Sequence, residues 1–152
     1  MKEIDYIMAP LDLSGECRTG LKTAIYLARK LRVPLELLHV DERIMNDEQE
    51  VMLRVNYQDW EKMERKLEAE AGKKMAKWLE EEGGADLPKK PVYTVLGGDP
   101  AETIVNHAEK MGDCLVVLTK KRNSTVTELL LGSVTQKVIR KATVPVVAVH
   151  CK

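Results

Sequence analysis

The sequence predicts an α/β domain built on an open parallel sheet. Five short apolar runs alternate with longer segments in which apolar residues recur every three or four positions. Short continuous runs are typical of strands buried on both faces, and the periodic segments are typical of amphipathic helices. Strands that alternate with helices need crossover connections, which are right-handed and place helices on both faces of the sheet. The 152 residues, 44% of them hydrophobic, suffice for one domain over residues 1–152 with a buried core.

Each of the five predicted strands is followed by a polar residue or a glycine. The strands are residues 6–11, 35–40, 92–96, 114–118 and 144–149. In an open parallel sheet, ligands bind beyond the carboxyl ends of the strands. This rule directs attention to four places, which are Asp12, Val40 with Asp41, Gly97 with Gly98, and the segment 119–133.

Two predicted helices connect the first three strands. Apolar residues recur on one face over residues 17–31, and Ser14 is the expected N-cap. A longer amphipathic pattern covers residues 52–79, with methionine and tryptophan at positions expected in the core. Gly83-Gly84 are expected to end this helix. The stretch 41–58 before it is compatible with a loop, a helix or both.

Two further helices begin at recognisable caps. Asp99 is the expected N-cap of the first, with Pro100 in the first turn and Glu102 three residues after the cap. Ser133 is expected to cap the last helix by the same logic. A helix N-terminus offers free amides and the positive end of a dipole to a phosphate. Gly132-Ser133 therefore indicates either a phosphate site or a plain turn and cap, and both remain open.

The positive and negative charges of the chain balance. There are 24 Lys and Arg against 24 Asp and Glu, which gives a formal net charge of zero. Duplex-binding proteins usually carry a net basic surface, so no nucleic-acid partner is expected. No apolar run approaches the roughly 18 residues of a membrane span, and the balanced charge gives no support to a polybasic membrane-binding mode, so no membrane partner is expected.

Three cysteines, Cys17, Cys114 and Cys151, lie far apart in the sequence. An odd number of cysteines, together with N-terminal residues that lack a signal-peptide core, predicts reduced thiols and a cytoplasmic location. Each cysteine is expected to pack as a small hydrophobe. Neither the cysteines nor the histidines show the spacing of a zinc site, so no metal site is expected.

Common catalytic and phosphate-binding motifs are missing from the sequence. No Gly-x-Gly-x-x-Gly follows the first strand, and there is no Gly-x-x-x-x-Gly-Lys-Ser/Thr loop. There is also no Gly-x-Ser-x-Gly nucleophile elbow. Because no nucleophile is spaced with an adjacent base, no catalytic residue is assigned.

Several segments resemble the universal stress protein family. Residues 10–14, Pro-Leu-Asp-Leu-Ser, are similar to the end of the family's first strand, and residues 38–40 are similar to its second. Residues 98–104 resemble its Gly-x-Pro-Ala-Glu-x-Ile segment. Residues 129–135 and 144–149 closely resemble its C-terminal signature, which is the specific part of the match. The similarity spans nearly the whole chain in one register.

The resemblance implies a Rossmann-like, five-stranded parallel sheet of strand order 3-2-1-4-5. Many members of the family bind an adenine nucleotide, so the implied cofactor is ATP or AMP, with or without Mg²⁺. The implied site residues are Pro10, Leu11, Asp12 and Val40 at the adenine end, and Gly132, Ser133, Val134 and Thr135 at the phosphates.

One part of the family's nucleotide motif is altered in this chain. The binders carry Gly-x-x-Gly, nine residues, and then Gly-Ser or Gly-Thr, but Thr119 and Arg122 occupy the positions of the two glycines. A β-branched or bulky residue cannot follow a glycine's backbone without strain, so weaker nucleotide binding is expected. Against this, Lys120, Lys121 and Arg122 bring cations near the expected phosphates. The same run is also compatible with a solvated basic loop.

Two functions follow from the sequence, and they are nearly balanced. One is a nucleotide-responsive regulator of the stress response. The other is a protein-interaction module that has lost nucleotide binding and acts on an unknown protein partner. A slow ATP hydrolase is a weaker third hypothesis, because only Asp12 and Asp41 are near candidates to activate water. The resemblance also implies a homodimer through the strand 144–149, an apolar edge that needs a partner.

Overall fold

The computed structural model describes residues 3–44, 57–120 and 132–151. The strands are β1 (Tyr6–Pro10), β2 (Leu35–Asp41), β3 (Val92–Gly97), β4 (Cys114–Lys120) and β5 (Val146–His150). The helices are α1 (Thr19–Leu31), α2 (Tyr57–Glu81), α3 (Pro100–Met111) and α4 (Ser133–Lys141). The alternation of strands and helices is the one that the apolar pattern predicts.

The five strands form a single parallel sheet in the order β3-β2-β1-β4-β5. In the central strand β1, Ile7 is in register with Leu35 of β2 on one side and with Leu115 of β4 on the other. Both the predicted fold class and the predicted strand order are confirmed. From β1, the chain adds β2 and then β3 on one side, and afterwards crosses to add β4 and then β5 on the other side. The strand order therefore reverses between β1 and β4.

Helices cover both faces of the sheet, as predicted. Ile7 and Ala9 of β1 belong to a core cluster that contains residues of α1 and α2. Met8, between them, belongs to a second cluster with residues of α3 and α4. This division follows from the two-residue period of a strand, which sends successive side chains to opposite faces.

The two edge strands are more exposed than the sequence predicts. Val92 and Tyr93 of β3 keep 49% and 40% of their surface exposed, and Ala148 and His150 of β5 are also exposed. The expectation that all five strands are buried on both faces is therefore wrong at the edges. A continuous apolar run does not distinguish a central strand from an edge strand, because the edge strand β5 also contributes Val147 to one core cluster and Val146 to the other.

One charged residue lies within the apolar run of β2. Glu36 is buried, and its carboxylate lies 2.7 Å from Nε2 of His107 on α3. A buried carboxylate needs a hydrogen-bonding partner, and the histidine provides it. This pair lies toward the amino ends of the strands, away from the edge at which ligands bind in such sheets.

The start of α1 differs from the prediction. The helix begins at Thr19 with Arg18 at the N-cap position, and no side chain there bonds to the first turn. Ser14 is therefore not the cap. Instead, its amide and hydroxyl both donate to Oδ1 of Asp12, at 3.0 Å and 2.5 Å, in a local turn. Ser and Asp favour caps and such turns for the same reason, so the sequence alone does not separate them.

The two later caps give opposite outcomes. Asp99 caps α3 as predicted, because its Oδ2 accepts a hydrogen bond of 3.0 Å from the Glu102 amide. The prediction for Ser133 is wrong. Gly132 holds the N-cap position of α4 with no side-chain cap bond, and Ser133 is already the first helical residue.

The long helix α2 ends at the predicted glycines. Gly83 has a φ of +82°, a left-handed conformation that glycine adopts without strain, and the Gly84 amide donates to Leu79 O at 2.8 Å. Met75 and Trp78 are buried as predicted, whereas Met63 is 39% exposed, so its placement in the core is wrong. Residues 45–56 lie outside the described part, so the question of loop or helix there stays open.

The cysteines correct the prediction of reduced thiols. Cys17 and Cys151 form a disulfide, with their Cα atoms 6.0 Å apart, while Cys114 is a buried free thiol as expected. Cys17 follows β1 and Cys151 follows β5. Because parallel strands end at the same edge of the sheet, residues that are far apart in sequence meet there.

No helix in the described ranges is both long enough and apolar enough to cross a membrane.

Candidate functional site

A cleft of about 880 Å³ opens at the carboxyl ends of β1, β2 and β4. The predicted site residues that line it are Pro10, Leu11, Asp12, Val40, Thr119, Gly132, Ser133, Val134 and Thr135. Arg122, the remaining predicted residue, lies outside the described part of the chain. The cleft contains the point at which strand order reverses, which is where ligands bind in open α/β sheets.

One of the four predicted places is not part of the cleft wall. Gly97 ends β3, and a Cβ on it would lie 2.1 Å from the Ile44 carbonyl oxygen. Gly98 follows with a φ of +120°. These glycines allow the backbone to pass close to the turn after β2, so their role is structural.

Asp12 lies at the tip of the β1–α1 connection. Leu11 and Leu13 on either side of it are buried, and the Leu11 amide donates to Leu38 O at 2.8 Å. Asp12 itself is exposed, and Ser14 holds its Oδ1 through two hydrogen bonds. Burial of the two leucines and the Ser14 bonds therefore fix a carboxylate at the cleft wall.

The end of β2 forms a second wall of the cleft. Val40 lines the cleft beside His39, whose Nδ1 donates to Leu11 O at 3.1 Å and so links the ends of β1 and β2. The other ring nitrogen of His39 lies 3.9 Å from Oδ2 of Asp41. No sequence motif marks His39 as a site residue, because it lies within the apolar run of β2.

Asp41 is a buried carboxylate held by its neighbour Arg43. Its Oδ1 accepts from the Arg43 amide and Nε, both at 2.9 Å, and its Oδ2 accepts from Nη2 at 2.7 Å. The hydrogen bonds from Arg43 keep the pKa of Asp41 below its usual value, although burial opposes them. A carboxylate held in its ionised form is a weak proton acceptor, so this arrangement does not favour Asp41 as a water-activating base.

The first turn of α4 lines the cleft. Gly132 is the N-cap, and residues 133–135 follow as the first helical positions and line the cleft. The first intrahelical bond comes later, from the Gln136 amide to Gly132 O at 2.9 Å. The amides before it have no acceptor within the helix, and they mark the positive end of the helix dipole. Such a turn can bind an anion.

Thr119 is the position at which the resemblance implies the first motif glycine. β4 continues through Thr119, which is in register with Val149 of β5, and ends only at Lys120, two residues beyond the predicted end. A Cβ placed on Gly20 of α1 would lie 2.1 Å from Thr119 Oγ1, so the threonine side chain reaches the start of α1. A β-branched residue favours a strand, and here the strand continues through the position of the implied glycine.

The structure adds a set of cleft residues that no sequence pattern marks as a site. Helix α2 lines the cleft with Leu67, Glu70, Ala71 and Lys74. Nζ of Lys74 donates to Leu13 O and lies 5.5 Å from the centre of the Trp78 ring. Counted from Leu67, the other three α2 residues that line the cleft lie three, four and seven positions further along the helix, so all four lie on one helix face. The sequence shows that such a face exists but not which end of the sheet it crosses.

No group of three or more side chains suited to a metal ion occurs among the described residues. The implied nucleotide, with or without Mg²⁺, stays a prediction.

Comparison with known proteins gives whole-length matches. The profile of the Universal stress protein family matches residues 3–150. Universal stress protein MJ0577 of Methanocaldococcus jannaschii is 31% identical over 155 residues, covering 96% of this chain and 94% of that protein. Universal stress protein YxiE of Bacillus subtilis is 26% identical over 146 residues, covering 95% and 97%.

Solved structures share the fold over the same length. Universal stress protein UspA from Lactobacillus plantarum has a TM-score of 0.71 at 17% identity, covering 98% of this chain and 99% of that one. A universal stress protein in complex with cAMP has a TM-score of 0.63 at 15% identity, covering 99% and 100%. The universal stress protein from Archaeoglobus fulgidus in complex with dAMP has a TM-score of 0.59 at 20% identity, covering 94% and 95%. The family match over nearly every residue, together with the shared sheet order, shows that this chain belongs to the universal stress protein family.

Proposed function

We propose that the chain binds an adenine nucleotide, ATP or AMP, in the cleft and acts as a nucleotide-responsive regulator in stress response. One observation carries the proposal. The uncapped first turn of α4 and the carboxylate of Asp12 line the same cleft, so a site for an anion and a site for a hydrogen-bond donor lie in one cavity.

The α4 side of the cleft suits the phosphates. Amides of the first turn donate to phosphate oxygens, and the positive end of the helix dipole stabilises their charge. Ser133 and Thr135 add hydroxyl groups at the same turn. Hydrogen bonds to an ionised acceptor are about twice as strong as those between neutral groups.

The β1–β2 side of the cleft suits the adenine ring. Pro10, Leu11 and Val40 offer apolar surface, and Asp12 offers an acceptor to the exocyclic amino group of adenine. Adenine presents both a donor and acceptors on its edges. The complexes of two structural relatives with cAMP and dAMP support a nucleotide of the AMP type.

The structure at Thr119 favours a second candidate, an interaction module that has lost nucleotide binding. The strand continues where the binders of the family have a glycine turn, which removes a close approach of backbone to phosphate. Under this hypothesis the cleft is a remnant, and the protein acts through its surface on a protein partner.

Equilibrium dialysis with labelled ATP and AMP, with and without Mg²⁺, separates the two candidates. We expect saturable binding that Asp12→Ala weakens by roughly tenfold or more, because a lost hydrogen bond to a charged group costs about 1.5–3 kcal/mol. Glu80→Ala is the matched control, because this exposed carboxylate on α2 lies outside the cleft wall. Absence of binding at millimolar nucleotide would reject the nucleotide site and leave the interaction module.

Arg122→Ala and Lys121→Ala test the cations of the basic run in the same assay. A loss of affinity in these variants, with a steeper loss as salt is raised in the wild type, indicates that the cations contact the phosphates. Unchanged binding identifies the run as a solvated loop.

A further inference from the structure

The Cys17–Cys151 disulfide lies at the cleft. Cys17 lines the cavity within the connection between β1 and α1, residues 11–18, which we call the β1–α1 loop. Cys151 follows β5 directly, and 134 positions separate the two residues in sequence. A covalent bond therefore links part of the cleft wall to the edge strand of the sheet.

The β1–α1 loop is held on its other side by helix α2. Lys74 donates to Leu13 O near the start of the loop. At its end, the guanidinium of Arg18 lies 4.6 Å from the centre of the Trp78 ring and pairs with Glu81. Cys17 directly precedes Arg18, so the disulfide fixes the C-terminal part of the loop toward β5.

The opposite end of the disulfide is tied to the end of β4. The Cys151 amide donates to Lys120 O at 2.9 Å, which continues the pairing of β4 with β5 by one residue. Thr119, immediately before Lys120, lines the cleft. The bond therefore connects the rim of the cleft that carries Asp12 to the rim formed by the end of β4.

The exposure of the cysteines makes this bond accessible to a reductant. Cys17 and Cys151 are both partly exposed, whereas the Cys114 side chain is completely buried. Thiol–disulfide exchange requires a thiolate to reach a sulfur atom of the bond, so access decides which cysteines react.

We propose that the Cys17–Cys151 disulfide is a redox-sensitive lock on the cleft, which a dithiol reductant opens. One thiolate of the dithiol attacks a sulfur of the bond, and its second thiol completes the exchange. The S–S bond breaks, Cys17 and Cys151 each end as a thiol, and the dithiol becomes a disulfide, so two electrons and two protons pass to the protein. Reduction releases the C-terminal part of the β1–α1 loop from the residue after β5.

The effect on ligand binding rests on the proposed nucleotide function. A loop that is fixed before binding does not have to be ordered by the ligand, so the oxidised protein has the preorganised site. We expect the reduced protein to bind AMP or ATP roughly 3- to 10-fold more weakly, the effect of ordering about one additional side chain.

Hydrogen–deuterium exchange tests the lock without any nucleotide. The wild type is compared before and after dithiothreitol, with alkylation and mass measurement to count free thiols. In unfolded protein, we expect one free thiol before reduction and three free thiols after it. In folded protein, we expect faster amide exchange in residues 12–17 and 150–151 on reduction. Cys17→Ser and Cys151→Ser should each exchange like the reduced wild type and be insensitive to dithiothreitol. Cys114→Ala, the control, should keep the wild-type response.

The outcomes separate the lock from the nucleotide site. Three free thiols before reduction would overturn the disulfide, and unchanged exchange on reduction would overturn the lock. Equal nucleotide affinity in both redox states, where binding occurs, would overturn its action on the ligand. If neither state binds nucleotide, the proposed function fails, and the exchange rates of the β1–α1 loop still decide the lock.

Discussion

Asp41 shows how one residue can be charged and buried at the end of a strand. Its side chain is 8% exposed, and Arg43, two residues on, supplies three hydrogen bonds from its backbone and its guanidinium. A buried charge is costly unless it is paired and hydrogen-bonded. Because Arg43 is only two residues from Asp41, the turn after β2 itself supplies the partner that stabilises this buried charge.

The Asp41–Arg43 pair predicts a specific dependence of stability on pH. The pKa of Asp41 is lower in the folded protein than in the unfolded chain, because of the Arg43 hydrogen bonds. Its stabilising contribution is therefore complete above the unfolded pKa, near 4, and is lost as the pH falls through the folded value. We expect Asp41→Asn to lose less stability than the wild type between pH 5 and pH 2.5, measured by urea unfolding.

Arg43→Gln is the matched variant for this prediction, since it removes the cause of the shift and leaves the carboxylate. It should also lose less stability over the same acid range. An acid response equal to that of the wild type in both variants would contradict the role assigned to the pair.

Gly20 predicts a steric effect at the junction of α1 and β4. A Cβ at this position would lie 2.1 Å from Thr119 Oγ1 and 3.2 Å from Thr119 Cβ. We expect Gly20→Ala to destabilise the protein by about 1–3 kcal/mol, because the close approach forces a shift of packed atoms. Gly72→Ala on α2 is the control, since a Cβ there meets nothing within 4 Å. It should stabilise the helix by up to about 1 kcal/mol. Urea unfolding of both variants measures the difference, and equal effects would contradict the prediction.

At the scale of elements, the N-termini of α3 and α4 are built differently. Asp99 bonds to the first turn of α3, whereas α4 starts at Gly132 with its first turn open to the cleft. Asp99 already accepts from the Glu102 amide, and Pro100 has no amide hydrogen, so the start of α3 offers fewer donors to a ligand. The contrast between the two termini is therefore the structural basis for assigning an anion site to α4.

Truncation of Asp99 and truncation of Ser133 should change the free energy of unfolding by different amounts. Asp99→Ala is expected to lower the free energy of unfolding by about 1 kcal/mol, the usual value of a side-chain cap. Ser133→Ala should cost much less, because Ser133 is already helical and has no cap bond. Urea unfolding without nucleotide measures both, and an equally large loss in Ser133→Ala would show that the serine does cap the helix.

The sequence predicts the elements well where local chemistry decides them. The five apolar runs correspond to the five strands, and Asp99 and the Gly83–Gly84 pair mark helix ends correctly. The sequence does not predict element boundaries that tertiary contacts determine. Pairing with β5 extends β4 through Thr119 and Lys120, and nothing in the run of β4 itself indicates that extension.

The residues of the candidate site likewise divide into those that local sequence patterns predict and those that only tertiary contacts bring to the cleft. The rule on strand ends leads to Asp12, Val40 and the start of α4, because each lies next to a readable strand or cap. The contribution of Lys74 and the meeting of Cys17 with Cys151 depend on where α2 and β5 lie in space. Such contacts join residues far apart in sequence, and a local pattern carries no information on them.

At the scale of the whole molecule, the two sheet edges suggest how copies of the chain associate. Val147 and Val149 of β5 pack against the core, while Ala148 between them is exposed. An edge strand presents unpaired backbone groups that a second copy can use. We propose the homodimer through β5 that the sequence also predicts.

Charged substitutions at the two edges test this dimer. Sedimentation at micromolar concentration should show a dimer for the wild type, a monomer for Ala148→Glu, and a dimer for Tyr93→Glu, which alters the exposed edge of β3. A charge on an edge strand opposes pairing with another strand. A monomeric wild type would contradict the dimer, and a monomeric Tyr93→Glu with a dimeric Ala148→Glu would move the interface to β3.

The disulfide also makes a covalent ring of the chain between residues 17 and 151, and this ring leaves out the strand at the centre of the sheet. β1 precedes Cys17, yet it separates β2 from β4, both of which belong to the ring. A single backbone cut within the ring would leave its two pieces attached to each other. Detachment of β1 would divide the sheet into two pairs of strands that remain joined through the ring. The ring therefore confines the two halves of the sheet, while β1 is the strand that unites them.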